Sequence, residues 1–157
     1  MSSVILPGSY DPVTRGHLEI IARAAKTYDE VYVVAFVNPN KTYTFSVEER
    51  VKMLILATDE FDNVLVSYSD GFVIDYMREH GIEKIVKGYR NEKDLAWERE
   101  QAEYNLKNGG FETELWLCRD EMKDVSSTAV RELLASGESA DDLLPISVAK
   151  YIESLKK

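Results

Sequence analysis

The seven-residue segment Val31–Val37, VYVVAFV, is the most restrictive feature of the chain, because as a strand it would present apolar side chains on both faces. Strands with two apolar faces are typical of parallel sheets that helices cover on both sides, whereas strands of half-exposed antiparallel sheets alternate apolar and polar residues. We therefore expect this segment to be the central strand of a parallel sheet.

Strand-like and helix-like segments alternate along the rest of the chain. Each strand-like run is followed by a turn and a helical pattern, and the other four runs are Val4–Leu6, Val64–Tyr68, Lys84–Val86 and Glu112–Leu117. This order predicts a doubly wound, Rossmann-like α/β fold with a five-stranded parallel sheet and helices on both faces. The 157 residues contain no linker or repeat, so we expect one domain over residues 1–157.

The helices are predicted from the spacing of apolar residues. Ser46 and Glu49 form a capping box at the start of the second helix. A fourth helix over about residues 94–107 has two apolar faces, which suggests a subunit contact as well as a core contact, and a last helix covers about Ile146–Leu155. The apolar stripe of the first helix is Leu18, Ile21, Ala22 and Ala25, and that of the second helix is Val47, Val51, Leu54, Ile55 and Thr58. The stripe of the third helix is Val73, Tyr76 and Met77. The fourth helix has Leu95, Ala102 and Leu106 on one face and Trp97 and Tyr104 on the other.

The charge and the cysteine content narrow the class of protein. A net charge of −9 argues against a nucleic-acid partner, since nucleic-acid binders generally carry a basic surface. The single Cys118 cannot form an internal disulfide, and we expect it to be a buried apolar residue. Because no apolar run approaches the ~18 residues of a membrane-spanning helix and the N-terminus has no basic leader, we expect a cytoplasmic location.

Several basic side chains follow the predicted strands, at the edge of the sheet where ligands of open parallel sheets bind. They lie in the segments PGSYDPVTRGH, NPNK and KGYRNEKD, and they are His17, Lys41, Lys87 and Arg90. Each one alone is most simply explained as a solvated surface charge. Their joint placement on an acidic protein instead suits a compact polyanion such as a nucleoside triphosphate.

Gly16 and His17 lie at the predicted start of the first helix. Gly16 would let a phosphate approach the free N–H groups of the first turn, where the helix dipole favours an anion. A single histidine at this place is equally explained as a capping residue. Its protonation state stays open, because the helix end disfavours an imidazolium whereas a bound triphosphate favours one.

Four segments of the chain resemble, in order, those of the nucleotidyltransferases with an HxGH-type motif, and within that group the bacterial phosphopantetheine adenylyltransferase family. GSYDPVTRGHLEII resembles the family segment G(T/S)(F/Y)DPxTxGHxxI, and NPNKTYTFSVEER resembles xNPxKxxxFxxxER. KGYRNEKDLAWERE resembles RGLRxxxDFxxE, and VSSTAVREL resembles ISSSxVR. Thr14 stands at the first position of the HxGH-type motif, and Lys87 stands where the family usually has arginine. The P-loop pattern GxxxxGK(S/T), the dinucleotide pattern GxGxxG and the hydrolase pattern GxSxG do not occur in the chain.

The resemblance implies transfer of AMP from ATP to 4′-phosphopantetheine, which yields dephospho-coenzyme A and pyrophosphate. His17 would stabilise the transition state as the catalytic residue. The substrate-binding residues would be Ser9, Lys41, Val73, Lys87 and Glu98. The ATP-binding residues would be Ser9, Tyr10, His17, Gly88, Tyr89, Arg90, Met122, Lys123, Asp124, Val125, Ser126, Ser127 and Thr128. It further implies Mg²⁺ delivered with ATP, a homohexamer and feedback binding of coenzyme A.

Two alternatives remain at this point. One is another nucleotidyltransferase of the same fold that acts on nicotinamide mononucleotide or a polyol phosphate; Thr14 and the NPNK segment argue against it. The other is a non-enzymatic nucleotide sensor, which would need the binding glycines but not His17, Lys41 and Arg90 together.

Overall fold

A computed structural model of the chain describes residues 2–156, which form five strands and six α-helices. The strands are β1 Ser3–Gly8, β2 Glu30–Phe36, β3 Val64–Ser69, β4 Lys84–Tyr89 and β5 Glu112–Leu117. The helices are α1 Arg15–Thr27, α2 Val47–Thr58, α3 Val73–His80, α4 Glu92–Gly109, α5 Ser127–Ala135 and α6 Ile146–Leu155. Short 3₁₀ turns cover Asp120–Met122 and Asp141–Leu143. Within this range no helix is long and apolar enough to cross a membrane.

The five strands form one parallel sheet in the order β3-β2-β1-β4-β5, which confirms the predicted doubly wound α/β fold. The prediction that Val31–Val37 is the central strand is wrong, because β1 occupies the centre and β2 lies between β1 and β3. After β3 the chain crosses back so that β4 pairs with the free side of β1. Two apolar faces distinguish an interior strand from an exposed one, but they do not say how many strands lie beyond it.

The interior strands feed two apolar layers, one on each face of the sheet. Val4 and Leu6 of β1 point into the layer shared with α1, α2, α5 and α6, whereas Ile5 points into the layer shared with α3. The fourth helix, α4, packs on β4 and β5. Successive side chains of β1 therefore pack alternately into the two apolar layers, as expected for a strand with helices on both sides.

The buried face of α2 differs from the predicted stripe. Ile55, assigned to the stripe, is 47% exposed, whereas Arg50 is 1% exposed. The buried residues of this helix are Arg50, Met53, Leu54, Ala57 and Thr58. These residues follow the i, i+3, i+4, i+7 and i+8 spacing of one helix face, starting from position 50. A search for apolar residues at this spacing misses the face because its first residue is an arginine.

The buried residues of α1 and α4 also differ from the apolar stripes predicted for these helices. The buried residues of α1 are Ile20, Ile21 and Ala24, so that only Ile21 of the predicted stripe is fully buried. In α4 the predicted core residue Leu106 is 53% exposed, and Glu98 is the residue classed as buried. Because α4 packs on the edge strand β5 and on β4, its outer face stays exposed, as Leu106, Trp97 and Tyr104 show.

The predicted capping box of α2 is confirmed. The backbone N–H of Glu49 donates to Ser46 Oγ at 3.1 Å, and the backbone N–H of Ser46 donates to Glu49 Oε1 at 2.9 Å. Polar side chains also cap α1, α4 and α5, and these are Thr14, Asn91 and Ser126. These caps satisfy N–H groups that the first turn of a helix leaves free.

Replacing Gly109 by alanine is expected to destabilise the fold, although alanine is the better helix former. A Cβ at Gly109 would lie 3.0 Å from Cγ1 and Cγ2 of Ile74 and from Cδ2 of Phe111, where α4 approaches α3. We expect a net loss of about 1–2 kcal/mol in the free energy of unfolding, measured by urea denaturation, because overpacking outweighs the gain in helix propensity. Gly71→Ala is the control, since the nearest atom there is Ser69 Oγ at 3.6 Å. Equal stability of the two variants would contradict this packing argument.

Candidate active site

A cavity of about 330 Å³ opens at the carboxyl ends of β1 and β4. The order of strands along the sheet reverses between these two strands, and open α/β sheets bind ligands at such a point. Its wall includes Leu6 to Tyr10 from the end of β1 and Val86 to Arg90 from the end of β4. The rest of the wall comes from the start of α1, from Lys41, from Cys118 and Met122, and from the start of α5.

A second cavity of about 240 Å³ adjoins the first on the side of α4. Val73, Trp97 and Glu98 line it, and it is partly apolar. The two cavities share Pro7, Gly8, Ser9 and Lys87 in their walls. Ser9 and Lys87 therefore lie between a pocket rich in cations and a narrower pocket under α4.

The structure divides the predicted site residues between these cavities. The first cavity is lined by Ser9, Tyr10, His17, Lys41, Lys87, Gly88, Tyr89, Arg90, Met122, Val125, Ser126, Ser127 and Thr128. Val73 and Glu98 line the second cavity, together with Ser9 and Lys87. Lys123 and Asp124 line neither cavity, and Lys123 Nζ instead pairs with Asp120 on the exposed surface at 3.2 Å.

The strand β4 is longer than predicted, and this changes how the cations are held. Lys87, Gly88 and Tyr89 belong to β4, not to the turn after it. The Lys87 ammonium donates to the Pro7 carbonyl at 3.1 Å, which ties the ends of β1 and β4 together. Lys87 Nζ also lies 3.5 Å from Glu98 Oε2. Burial raises the pKa of the Glu98 carboxyl, and the nearby Lys87 ammonium partly opposes that shift.

The loop between β1 and α1 has a tightly packed start. Tyr10 has a φ of 49°, in the left-handed region that residues other than glycine rarely adopt. Its buried hydroxyl donates to the Leu6 carbonyl at 2.8 Å, and its ring meets the His17 ring edge-on with centroids 4.9 Å apart. A strained backbone at the mouth of a cavity is typical of a functional loop that its surroundings hold in place.

His17 is held as a neutral imidazole. The backbone N–H of Thr14 donates to His17 Nδ1 at 3.0 Å, so Nδ1 carries the lone pair and Nε2 carries the proton. Burial, and to a smaller extent the positive charges of Lys87 and Arg90, lower the pKa of the imidazole to about 4. Both observations favour a neutral His17 that offers an uncharged Nε2–H donor.

Gly16 lines the first cavity, and it also has a packing role that the sequence did not predict. A Cβ at Gly16 would lie 3.1 Å from the carbonyl oxygen of Val125, so glycine favours the close approach of the segment before α5. Two further contacts fasten the same region, because Ser127 Oγ donates to the Pro12 carbonyl at 2.7 Å and Arg131 Nη1 donates to the Asp11 carbonyl at 2.9 Å. The starts of α1 and α5 consequently line one cavity.

The first cavity is strongly cationic. Among the described residues that form its wall there is no carboxylate, whereas Lys41, Lys87, Arg90 and Arg131 all contribute to it. Asp94 lies behind Arg90 and contacts its Nε at 3.1 Å, which orients the guanidinium. Although the whole chain carries a net charge of −9, this pocket suits a polyanion.

Sequence reasoning missed several residues of the site. Arg131 lines the first cavity, and Gln101, Asn105 and Thr113 line the second. Arg131 lies within the recognised VSSTAVREL segment, so a basic residue one turn after the cap of α5 was the available signal. Cys118, predicted as a buried residue, is buried in the wall of the first cavity, where burial raises the pKa of its thiol.

The neutral state of His17 can be measured directly. In the ligand-free protein we expect the His17 ring to titrate at a pH of about 4, well below the ~6.5 of an exposed histidine, in ¹⁵N-edited NMR spectra assigned with a His17→Gln variant. Because the pKa is lower in the folded than in the unfolded chain, folding stability should fall as the pH drops from about 6.5 towards 4. Lys87→Met removes one of the two cations and should raise the pKa. A native His17 that titrates near 6.5 would contradict this assignment.

Comparison with known proteins shows the family to which the chain belongs. The sequence model of the family described as cytidylyltransferase-like matches residues 5–133. A phosphopantetheine adenylyltransferase of Symbiobacterium thermophilum is 42% identical over 97% of this chain and 94% of its own length. Proteins of the same name from Clostridium novyi and Thermobifida fusca are 38% and 40% identical, over 97% and 100% of this chain and 95% and 99% of their own lengths.

The family match covers β1 to α5, and therefore every element that lines the two cavities. The relatives cover nearly the whole chain at an identity well above the level at which fold alone is shared. On these grounds the chain belongs to the cytidylyltransferase-like family of nucleotidyltransferases, and its full-length relatives are phosphopantetheine adenylyltransferases.

Proposed function

We propose that the chain transfers AMP from ATP to 4′-phosphopantetheine, giving dephospho-coenzyme A and pyrophosphate. The observation that carries the proposal is the pair of adjoining cavities that share Ser9 and Lys87, one free of carboxylates and cationic, the other partly apolar. The names of the relatives agree with this reaction. The reversible step breaks the bond between the α-phosphorus of ATP and the oxygen that bridges the α- and β-phosphates, so that pyrophosphate leaves. A new bond forms between the α-phosphorus and an oxygen of the acceptor phosphate.

The charge and shape of the cavities support an assignment of the two substrates. The first cavity would hold ATP, with its triphosphate near Arg90 and near the amides and hydroxyls at the start of α5. The second cavity would hold the pantetheine arm, beside Val73 and Glu98. The acceptor phosphate and the α-phosphate of ATP would then meet at Ser9 and Lys87.

Catalysis in this scheme needs no protein nucleophile and no general base, because the attacking phosphate is already ionised. The protein would position the two phosphates and stabilise the negative charge that develops in the transition state. His17 would donate from Nε2–H, a role that its neutral tautomer supports. Lys41 lies 3.4 Å from Ser9 Oγ, and these two groups would orient the attacking phosphate.

Mg²⁺ would enter as part of the ATP substrate. Mg²⁺ prefers carboxylate, phosphate and water oxygens, and the described wall of the first cavity provides no carboxylate for it. Over residues 2–156 there is likewise no group of three or more histidine, cysteine, aspartate or glutamate side chains suited to a metal. The phosphate oxygens of ATP would therefore be its main ligands.

We also propose a cytoplasmic location and feedback binding of coenzyme A. ATP is plentiful in the cytoplasm, and the single Cys118 requires no oxidising compartment. Coenzyme A contains both a pantetheine arm and an adenine nucleotide, so it matches the contents proposed for the two cavities. It would compete with both substrates.

A pyrophosphate-release assay with a panel of acceptors tests the proposed reaction. We expect release with Mg²⁺, ATP and 4′-phosphopantetheine, and none with nicotinamide mononucleotide or a polyol phosphate, because only the first has an arm that fills the partly apolar cavity. Release with another phosphate ester alone would reassign the substrate. ATP binding without release for any acceptor would favour a nucleotide sensor.

His17→Ala tests the catalytic role within the same assay. We expect kcat to fall by about 10²–10³-fold, as for loss of one preorganised donor, with the Kd for ATP changed by less than about threefold. His17→Gln keeps an uncharged N–H donor and should recover part of the rate. Circular dichroism controls for folding, since His17 also takes part in the cap of α1. Equal losses of ATP affinity and rate would instead assign His17 to binding.

A homohexamer is proposed for the assembly, on the resemblance and on the exposed aromatic face of α4. Trp97 and Tyr104 are both 60% exposed on this face. Small-angle scattering with size-exclusion chromatography should give six times the mass of the chain, and Tyr104→Glu should lower the mass because it would bury a charge in the contact. A wild-type monomer at micromolar concentration would overturn the proposal.

A further inference from the structure

Arg50 stands out because its side chain is buried without a matching negative charge. It is 1% exposed and is the largest of the fully buried side chains among the described residues. None of the ion pairs over residues 2–156 includes it. Burial of a charge costs free energy unless the charge finds partners, so its contacts must account for its presence in the middle of α2.

The partners of Arg50 belong to the two loops that lead into the proposed site. Its Nη1 donates to the backbone carbonyl of Ser9 at 2.9 Å, and its guanidinium carbon lies 4.0 Å from the centre of the Tyr43 ring. Nε has no hydrogen-bond partner among the described residues. A charged donor to a carbonyl and a desolvated cation over an aromatic ring are both strong contacts.

Tyr43 connects Arg50 to the loop that carries Lys41. Its hydroxyl accepts a hydrogen bond from the backbone N–H of Asn38 at 2.9 Å. The Lys41 ammonium lies 5.4 Å from the centre of the same ring and 3.4 Å from Ser9 Oγ. Arg50, Ser9, Lys41 and Tyr43 therefore form a closed set of contacts, which we call the Arg50 cluster.

Arg50 lines neither cavity, so any effect on the reaction must be exerted through its neighbours. The loop after β1 carries Ser9 and the loop after β2 carries the exposed Lys41, and no strand pairing fixes one against the other. The Asp11 carboxylate joins the two loops nearer to α2, where it accepts from the N–H groups of Thr44 and Phe45. The carbonyl of Ser9 is also bound to Arg50, and it therefore cannot turn towards an anionic ligand. The buried guanidinium thus fixes the direction in which the Ser9 carbonyl points. Through the Tyr43 ring it also helps to hold Lys41 in position.

We propose that Arg50 is a positioning residue that holds Ser9 and Lys41 in register for the acceptor phosphate; this inference rests on the proposed function. Arg50 is not a partner in the contacts that hold the ATP side, because Arg90 is held by Asp94 and the start of α5 is held by the carbonyls of Pro12 and Asp11. The expected signature is a loss on the acceptor side of the reaction with ATP binding preserved.

Arg50→Met tests this, because methionine keeps much of the volume and removes the charge and all donors. We expect kcat/KM for 4′-phosphopantetheine to fall by about 10–100-fold, and the Kd for ATP, measured by calorimetry, to change by less than about threefold. Arg50→Lys should recover only part of the loss, since an ammonium has no planar fork to bind the carbonyl and stack on Tyr43 together. Leu54→Ala is the matched control: it weakens the core from the same helix and should leave both constants unchanged at a temperature where it is folded.

Hydrogen exchange gives a readout that needs no acceptor. In Arg50→Met the amides of residues 8–11 and 38–44 should exchange faster, and those of residues 123–128 should not. If the wild-type chain released no pyrophosphate with any acceptor, the proposed function would fail while this exchange pattern still decided the role of Arg50.

Two results would overturn the proposal. One is unchanged acceptor kinetics and unchanged exchange in Arg50→Met. The other is an equal loss of acceptor and ATP binding that Leu54→Ala reproduces. Should Arg50→Met fail to fold, Tyr43→Leu removes the ring contact without altering the buried arginine, and the same split between acceptor kinetics and ATP affinity is expected; its absence would count against the proposal equally.

Discussion

The pairing of β1 with β2 on one side and with β4 on the other is the constraint on which the site depends. The helix α1 that follows β1 packs in the apolar layer on one face of the sheet, whereas Glu98 of α4, which follows β4, lines a cavity with Ile85 of the opposite layer. A gap is left where the carboxyl ends of β1 and β4 meet, and both cavities open there. Lys87 reinforces this point by donating from β4 to the Pro7 carbonyl of β1.

Buried polar contacts then hold the loop after β1 in one conformation. The carboxylate of Asp11 accepts from the backbone N–H groups of Thr44 and Phe45, both at 2.9 Å, and its carbonyl accepts from Arg131. Arg50 binds the loop two residues earlier, at Ser9. The strained backbone of Tyr10 lies between these contacts, which explains how it persists. A loop fixed from α2, from α5 and from the β2–α2 connection can present Ser9 and His17 at constant positions.

The electrostatics of the site are local and run against the charge of the whole chain. Four cations from three separate segments face a cavity whose described wall has no carboxylate, in a chain of net charge −9. Two of these cations, Lys87 and Arg90, add to the effect of burial in lowering the pKa of His17, so the site combines fixed positive charges with one uncharged donor. Such a combination suits phosphoryl chemistry, where charge must be stabilised and no proton need be taken from the nucleophile.

The sequence by itself determined the parallel α/β fold, the approximate position of each strand, and the sheet edge at which the cations gather, because apolar faces and turn residues are local properties of the chain. It placed Lys87 in a turn, whereas Lys87 belongs to β4. It did not determine that β1 is central, since strand order depends on crossovers that no local pattern records. It identified His17, Lys41, Lys87 and Arg90 as a group, but it missed Arg131 and the buried Arg50. The reason is physical: a charged residue reads as surface in any pattern based on polarity, and only its three-dimensional surroundings reveal a carbonyl and an aromatic ring that make its burial tolerable. The neutral state of His17 was decided in the same way, by the Thr14 N–H and by burial that only the folded chain provides.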